Sequence, residues 1–467
     1  MSESGVADHF FSPGSRMTDV RSGRTLSASE AVEIVAAQAS ALQGAGRVVA
    51  IGHVRAFDTI LALLAVWEAG RDALLVSPKL SAEEQANVAG FAGVSDWLGP
   101  LHDGVNLPVK GSEQPDRPPS AILMTSGTTG KPKGIRLSVA AIAARVRLNE
   151  QVIGRPDMAR TLCLLPAFFG HGLIGNCLTP LAAGAELFLL DGPDIAEHAG
   201  IGALIDKLGV TFMSSVPSFW KLACRLSPRP QNGSLARVHV GSAPLSMEQW
   251  RAIADWAGTE NVLNMFGMTE TANWISGAAL DEASGRDGHV GRPWGGEFAV
   301  LGEGGNIAGK GKGEVLVRSP TIMDHYTGDP EKTAEAFVEG WFRTGDIGVI
   351  DDVGALTLTG RTKWEINRSG IKIQAEEIDM LLERHPDIVE ACAFGIPDAV
   401  AGEAVAAAIV LRPGAETETE AIRAWCRTRA RPDAVPAALY RVEMLAKNER
   451  GKLDRMAVRA SALGAKP

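Results

Sequence analysis

The sequence predicts an α/β protein built in more than one domain, and three observations carry that reading. From residue 28 to about 275, stretches of helical period alternate with short apolar runs, the order that gives a parallel sheet covered by helices on both faces. Between 287 and 360 the texture changes to short apolar runs separated by glycines, the pattern of antiparallel hairpins. From about 363 the α/β texture returns. At 467 residues the chain exceeds what one core usually supports, so two or three domains of roughly 100–200 residues are expected.

Each element follows from its residues. Ser27 or Ser29 caps a helix running through Ala41. "RVVAIGHV" (47–54) reads as a buried strand, 60–70 as a helix closed by Gly70, and "DALLVSP" (72–78) as the next strand. Residues 102–120 are polar and proline-rich, hence a surface connection. "AILM" (121–124) is a short strand entering "TSGTTGKPKG" (125–134), and Ser138 caps a helix on which Val139, Ile142 and Val146 keep helical spacing. Further apolar runs fall at 161–166, 185–190, 210–213 and 236–240. "GEVLVRSP" (313–320) and "GALTLTGR" (354–361) read as hairpin strands. The glycine-rich "GEGGNIAGKGKGE" (302–314) lacks a following helix and reads as hairpin turns. "IVEACAFGI" (388–396) and "AVAAAIVLRP" (404–413) are the strands of the last region.

With 45% hydrophobic and 22% charged residues, composition is that of a folded protein without marks of disorder. A net charge of −9 without a basic cluster argues against nucleic acid or an anionic membrane as the main partner. The five cysteines are scattered without a CxxC pair, which suits reduced thiols and a cytoplasmic protein. The N-terminal residues lack the basic start and apolar core of a signal peptide, and the longest apolar runs are too short to span a bilayer.

"TSGTTGKPKG" concentrates hydroxyls, glycines and lysines. A strand–glycine loop–helix layout would expose backbone N–H groups to phosphate oxygens; Thr125, Ser126, Thr128 and Thr129 would add donors and Lys133 charge. The P-loop pattern G-x-x-x-x-G-K-[ST] fails twice, with Thr125 in place of glycine and Pro132 after Lys131, so an ordinary P-loop NTPase is excluded. On composition alone, a flexible structural loop remains the alternative.

The company this loop keeps decides between them. "NMFGMTE" (264–270), "WFRTGD" (341–346), "GRTKWEINRSGIKIQAEEID" (360–379) and "NERGKLDR" (448–455) follow it in order. Together these five motifs resemble the adenylate-forming superfamily of acyl-CoA synthetases, nonribosomal adenylation domains and luciferases. The resemblance implies a large N-terminal domain of layered sheets and helices with a small barrel-like β subdomain (1–362), and a small mobile α+β C-terminal domain (363–467). It implies that Thr125, Ser126, Gly127, Thr128, Thr129, Gly130 and Lys133 cover the phosphates of ATP. Gly241, Ser242 and Ala243 in "VGSAPLS" (240–246), with Phe266 and Gly267, would hold the adenine. Thr269 would donate to the α-phosphate and Glu270 would bind Mg2+, while Asp346 and Arg361 would hold the ribose. Lys363 would be the hinge of a two-pose lid that brings Lys452 to the reacting carboxylate, and then Ser369 and Gly370 to a pantetheine tunnel.

"LLPAFFGHGLIGNCLTPLAAGAELFLL" (164–190) resembles the family's acid-binding segment, with Phe169 in the usual His position. His171 falls where amino-acid-activating relatives keep an Asp, so an α-amino acid is a poor candidate, its buried cation lacking a partner. An apolar or aromatic pocket of Phe168, Phe169, Val216 and Trp274 is expected, with His171 either meeting the substrate or satisfied structurally. Ala375 and Ala446 replace familiar prolines. The expected function is ATP- and Mg2+-dependent activation of a small carboxylic acid and transfer to coenzyme A. The alternatives are the phosphopantetheine of an acyl carrier protein and, in another class, a non-catalytic nucleotide-binding regulator. A monomer or homodimer is expected.

Overall fold

The computed structural model describes residues 5–107, 117–125, 133–283, 285–302, 304–368, 371–398, 401–448 and 452–464. Among them the strands form four sheets. The largest has eight strands. Arg16–Asp19, Glu186–Leu189, Arg160–Cys163, Phe212–Ser215, Arg237–Gly241 and Val262–Met268 run parallel, with antiparallel edges at Thr25–Ser27 and Asn273–Ala279. In the six-stranded second sheet Val94–Leu98, Val48–Ile51, Asp72–Leu75 and Ser120–Thr125 are parallel, and Lys133–Ser138 and His325–Thr327 are antiparallel additions.

The predicted cap at Ser27 forms as a full capping box with Glu30 before the helix Ala28–Ala41. The second helix, Ala56–Glu68, starts earlier than its sequence pattern indicated. Its exposed faces are few, since only Asp58 and Glu68 escape burial. A helix apolar nearly all round must lie inside. Its core cluster joins Met17, Leu187 and Leu189 of the large sheet to Val49, Leu75, Ala121 and Leu123 of the second, so the helix lies between two sheets. Trp67 within it donates its indole N–H to the Ser120 carbonyl at 2.9 Å.

One expectation fails at "TSGTTGKPKG". Between the loop and the helix, residues 133–138 form a strand paired antiparallel to Ser120–Thr125, and the helix Val139–Ile153 begins, as expected, at its cap Ser138. Alternation decides this, because Ile135 and Leu137 enter the same core as Leu123. The phosphate-loop motif is thus followed by a strand, and the helix N-terminus lies beyond that strand.

Residues 287–361 are antiparallel as expected. Seven strands from His289–Gly291 to Leu356–Arg361 build one sheet, and Val315, Val317, Phe298 and Leu356 of it close over Phe266 and Ile275 of the first sheet. A single 3-10 turn, Thr362–Trp364, then leads to the five-stranded fourth sheet, dominated by the long pair Ile388–Asp398 and Gly402–Leu411. That sheet has its own core of Ile373, Ile378, Leu382, Val405 and Ile409. Among the described residues no helix is long and apolar enough to cross a membrane.

Candidate active site

Two cavities meet where the large sheet ends. The smaller, of about 90 Å³, is lined by Phe169, His171, Val216, Met265, Thr269, Asn273, Trp274 and neighbouring residues. The larger, of about 290 Å³, is lined among others by Ala243, Phe266, Asp346, Arg361, Trp364 and Glu376. Ser242, Met265, Gly267 and Lys452 line both. Lys452, from the far end of the chain, thus stands at the junction of two pockets built mostly by residues 165–380.

The small cavity rests on an unusual helix. His171–Leu178 has π geometry, reinforced by the Asn176 amide donating to the His171 carbonyl at 2.9 Å. Glycine is required in it: a Cβ at Gly172 would lie 2.3 Å from the Pro166 carbonyl oxygen. His171 shares hydrogen bonds with Ser242 Oγ through Nδ1 (2.9 Å) and with Ser214 Oγ through Nε2 (2.8 Å). Burial holds its imidazole down to about 3, and the charge of Lys452 pushes the same way, so the ring is neutral. The ring is thus satisfied structurally by two serines and also lines the small cavity. Trp274 meets it edge-on at 5.5 Å. Phe168, expected in the wall, is absent from the lining and packs against Phe169 (4.3 Å) and the core instead.

The strand Val262–Met268 passes under both cavities and ends in the turn Thr269–Thr271. Phe266 packs on Phe298 and lines the larger cavity. Glu270 Oε1 accepts from the Tyr326 hydroxyl at 3.0 Å, and burial, reinforced by that carboxylate, raises the phenol's pKa. Lys133 stands with its ammonium 4.9 Å above the Tyr326 ring. Burial lowers its pKa, and the nearby Lys332 and Lys363 add to that despite the opposing charge of Glu270. Cations gathered this way favour an anionic ligand. Gly241 lies behind the wall against Met265.

In the larger cavity Arg361 Nε donates to Asp346 Oδ1 at 2.5 Å across two adjacent strands, whose register pairs these two residues. The charge of Asp346 raises the Arg361 pKa against its burial. Lys363 sits over the Trp364 ring at 4.8 Å. Of the remaining expected residues, Ser126, Gly127, Thr128, Thr129, Gly130, Ser369 and Gly370, and the side chain of Thr125, lie outside the described residues. Sequence reasoning missed Met265, Asn273, Tyr326, Trp364 and Glu376. Met265 and Trp364 had a signal, each lying beside a motif residue that was chosen, whereas Tyr326 reaches Glu270 from 56 positions away.

Contacts between the two ends of the chain hold this arrangement. Lys221 donates to the Val389 carbonyl at 2.6 Å, and Arg384 pairs with Asp287.

Comparison with known proteins agrees with this geometry. The family model for AMP-binding enzymes matches residues 94–327, and the model for the AMP-binding enzyme C-terminal domain matches 377–452. An oxalate–CoA ligase of Arabidopsis thaliana is 34% identical over 72% of this chain and 66% of its own length, so the chain spans about two thirds of that relative. A sulfoacetate–CoA ligase of Cupriavidus necator is 32% identical over 84% of this chain and 75% of its own. The ATP-bound structure of MatB from Rhodopseudomonas palustris superposes with a TM-score of 0.85 at 25% identity, covering 99% of each chain. The chain belongs to the AMP-binding enzymes, the adenylate-forming superfamily.

Proposed function

We propose that the protein is an AMP-forming acid–thiol ligase: it joins a small carboxylic acid to AMP at the expense of ATP, releasing pyrophosphate, and then transfers the acyl group to coenzyme A. The observation that carries this reading is the position of Lys452 in the lining of both cavities. Attack of a carboxylate on an α-phosphate brings two anions together, and a cation fixed at their junction lowers that barrier. A protein that only bound nucleotide would have no use for it.

In this reading the larger cavity takes the nucleoside. Phe266 and the Ser242–Ala243 backbone flank the base, and Asp346, steadied by Arg361, accepts from the ribose hydroxyls. Glu270 suits Mg2+: it offers a hard carboxylate oxygen already oriented by Tyr326, and among the described residues no group of three or more His, Cys, Asp or Glu side chains surrounds it. An ion there would complete its shell with phosphate oxygens and water, as Mg2+ does, and would offset charge on the phosphates. Lys133 and Lys332 stand on the same side for the departing pyrophosphate.

The small cavity takes the acid. Lys452 is the one cation among its described lining residues, no carboxylate lines it, and its other polar groups, including His171, Ser242 and Asn273, are neutral. A short acid with an uncharged or weakly polar tail suits that wall, and an α-amino acid does not. That the relatives are named for oxalate and sulfoacetate supports a small acid. We further propose that residues 1–362 are the adenylating core and 363–467 a lid turning at Lys363. The single turn Thr362–Trp364 between two sheets supports this, being a link short enough for two torsions to redirect the following domain.

The test is acid-dependent ATP–pyrophosphate exchange over a panel of short alkyl, aryl and dicarboxylic acids, followed by thioester formation with coenzyme A. Lys452→Ala should nearly abolish exchange and leave nucleotide binding. Lys363→Pro should spare exchange and suppress thioester formation. Absence of exchange with every acid would overturn the reading.

A further inference from the structure

Arg145 is completely buried on the helix Val139–Ile153, and among the described residues no carboxylate pairs with it. Burial alone holds its guanidinium down to about 9, so it stays charged at neutral pH. Its Nη1 donates to the Trp294 carbonyl at 3.0 Å and its Nη2 to Thr321 Oγ1 at 2.7 Å, while Nε has no partner. Burying a cation without a counter-ion is costly, so what the guanidinium touches matters.

The contact leads to the site. Thr321 Oγ1, accepting from Arg145, donates to the Thr271 carbonyl at 3.1 Å. Thr271 follows Thr269 and Glu270 directly and precedes Ala272 and Asn273, whose φ angles are +53° and +105°. Two consecutive non-glycine residues on the left-handed side do not hold themselves in place. On one flank of this strained pair stand Thr269 and Glu270. Asn273 itself, and Trp274 just beyond the pair, line the small cavity. The second arm reaches Trp294, whose N–H donates to the Ile275 carbonyl at 2.6 Å just beyond Trp274. One planar fork therefore fixes both ends of the segment, a task that the single ammonium of lysine cannot match.

We propose that Arg145 is a positioning residue: through Thr321 and Trp294 it holds segment 269–275 so that the groups facing phosphate and metal and those facing the acid keep one register. The inference rests on the ligase reading above.

The test uses full-length variants Thr321→Val, Thr321→Ser, Arg145→Lys and Arg145→Met. In the exchange assay at 25 °C, Thr321→Val should lower kcat about tenfold and raise the acid KM severalfold. The Mg2+ concentration needed for half-maximal ATP binding, measured by calorimetry, should rise with them. Thr321→Ser should restore all three, and Arg145→Lys should not. Arg145→Met should lose activity while Tm moves by only a few degrees, because lost hydrogen bonds are offset by removal of an unpaired buried charge. If Thr321→Val lowers Tm but leaves kcat, KM and the Mg2+ dependence unchanged, the brace is merely structural and the inference fails. Should Arg145→Met not fold, the Thr321 pair decides. Should the wild type show no exchange with any acid, the ligase reading falls; unchanged Mg2+-dependent ATP binding in Thr321→Val would then separately overturn the brace.

Discussion

Arg361 and Asp346 occupy opposed positions on neighbouring antiparallel strands, and the arginine Nε lies 2.5 Å from the aspartate Oδ1 at the edge of the larger cavity. The pair is largely withdrawn from water on the Asp346 side, whose side chain is 9% exposed, so its hydrogen bond counts for more than a surface ion pair would. Asp346→Asn should weaken ATP binding roughly ten- to hundredfold, the loss of one charge-assisted hydrogen bond to a ribose plus a displaced arginine. Equilibrium titration with a fluorescent adenine nucleotide measures it, and an unchanged Kd would remove Asp346 from the nucleotide site.

Tyr326 acts on Glu270 from the strand His325–Thr327. Its hydroxyl takes one carboxylate oxygen and so sets which way the other points. Tyr326→Phe keeps the ring beneath Lys133 and deletes only that bond. The expected result is a three- to tenfold fall in exchange rate, about 1 kcal/mol, with a raised Mg2+ requirement. A fall that excess Mg2+ does not relieve would argue that Tyr326 serves Lys133 instead.

These two pairs also show what the sequence could and could not disclose. Asp346 and Arg361 were legible because each lies in a short motif with its own chemistry, and hairpin pairing brings them together. The α/β texture and its boundary near residue 287 were legible for the same local reason, periodicity. The Tyr326–Glu270 and Arg145–Thr321 contacts were not, since each joins residues 56 or 176 positions apart through tertiary packing that leaves no local pattern. The helix start at Ser138 was legible from its cap, but the strand Lys133–Ser138 before it was missed, because its short alternating stretch was read as part of the glycine-rich loop. Phe168 was placed in the pocket because adjacent aromatic residues look alike in sequence, while one of them must turn to the core.

Buried histidines make stability depend on pH in a defined window. His239 is fully buried, accepts from Arg237 Nε at 2.9 Å, and is held well below the usual imidazole range by burial and the Arg237 charge. His171 is held down to about 3. A depressed native pKa means that the unfolded chain takes up protons that the folded one refuses. Stability is therefore whole above about pH 6.5 and falls as pH drops from there towards the native values, by about 1.4 kcal/mol per pH unit for each such histidine. Tm should be flat between pH 7 and 8 and decline from pH 6.5 to 5. His239→Gln should be less stable at pH 7.5 yet show a shallower decline. An equal slope in both proteins would mean that His239 already titrates normally.

Gly175 offers the sharpest separation of the two cavities. It lies in the π-helical turn behind the wall of the small cavity, and a Cβ there would stand 2.1 Å from Asn273 Nδ2 and 2.8 Å from Trp274 Cη2. Neither distance is tolerable, and both neighbours are buried side chains held on one strand and lining the small cavity, so their shift changes its shape. Asp346, Arg361 and Phe266 line the larger cavity and not the smaller one. Gly175→Ala should therefore raise the acid KM at least tenfold while ATP affinity changes less than twofold, with a stability loss of about 1–3 kcal/mol. Shorter acids should lose less than longer ones, because the methyl group takes room at the far wall. If KM rises equally for the shortest and longest acids tested, the substrate does not extend to Asn273 and Trp274, and the acid lies closer to Lys452 than the cavity suggests.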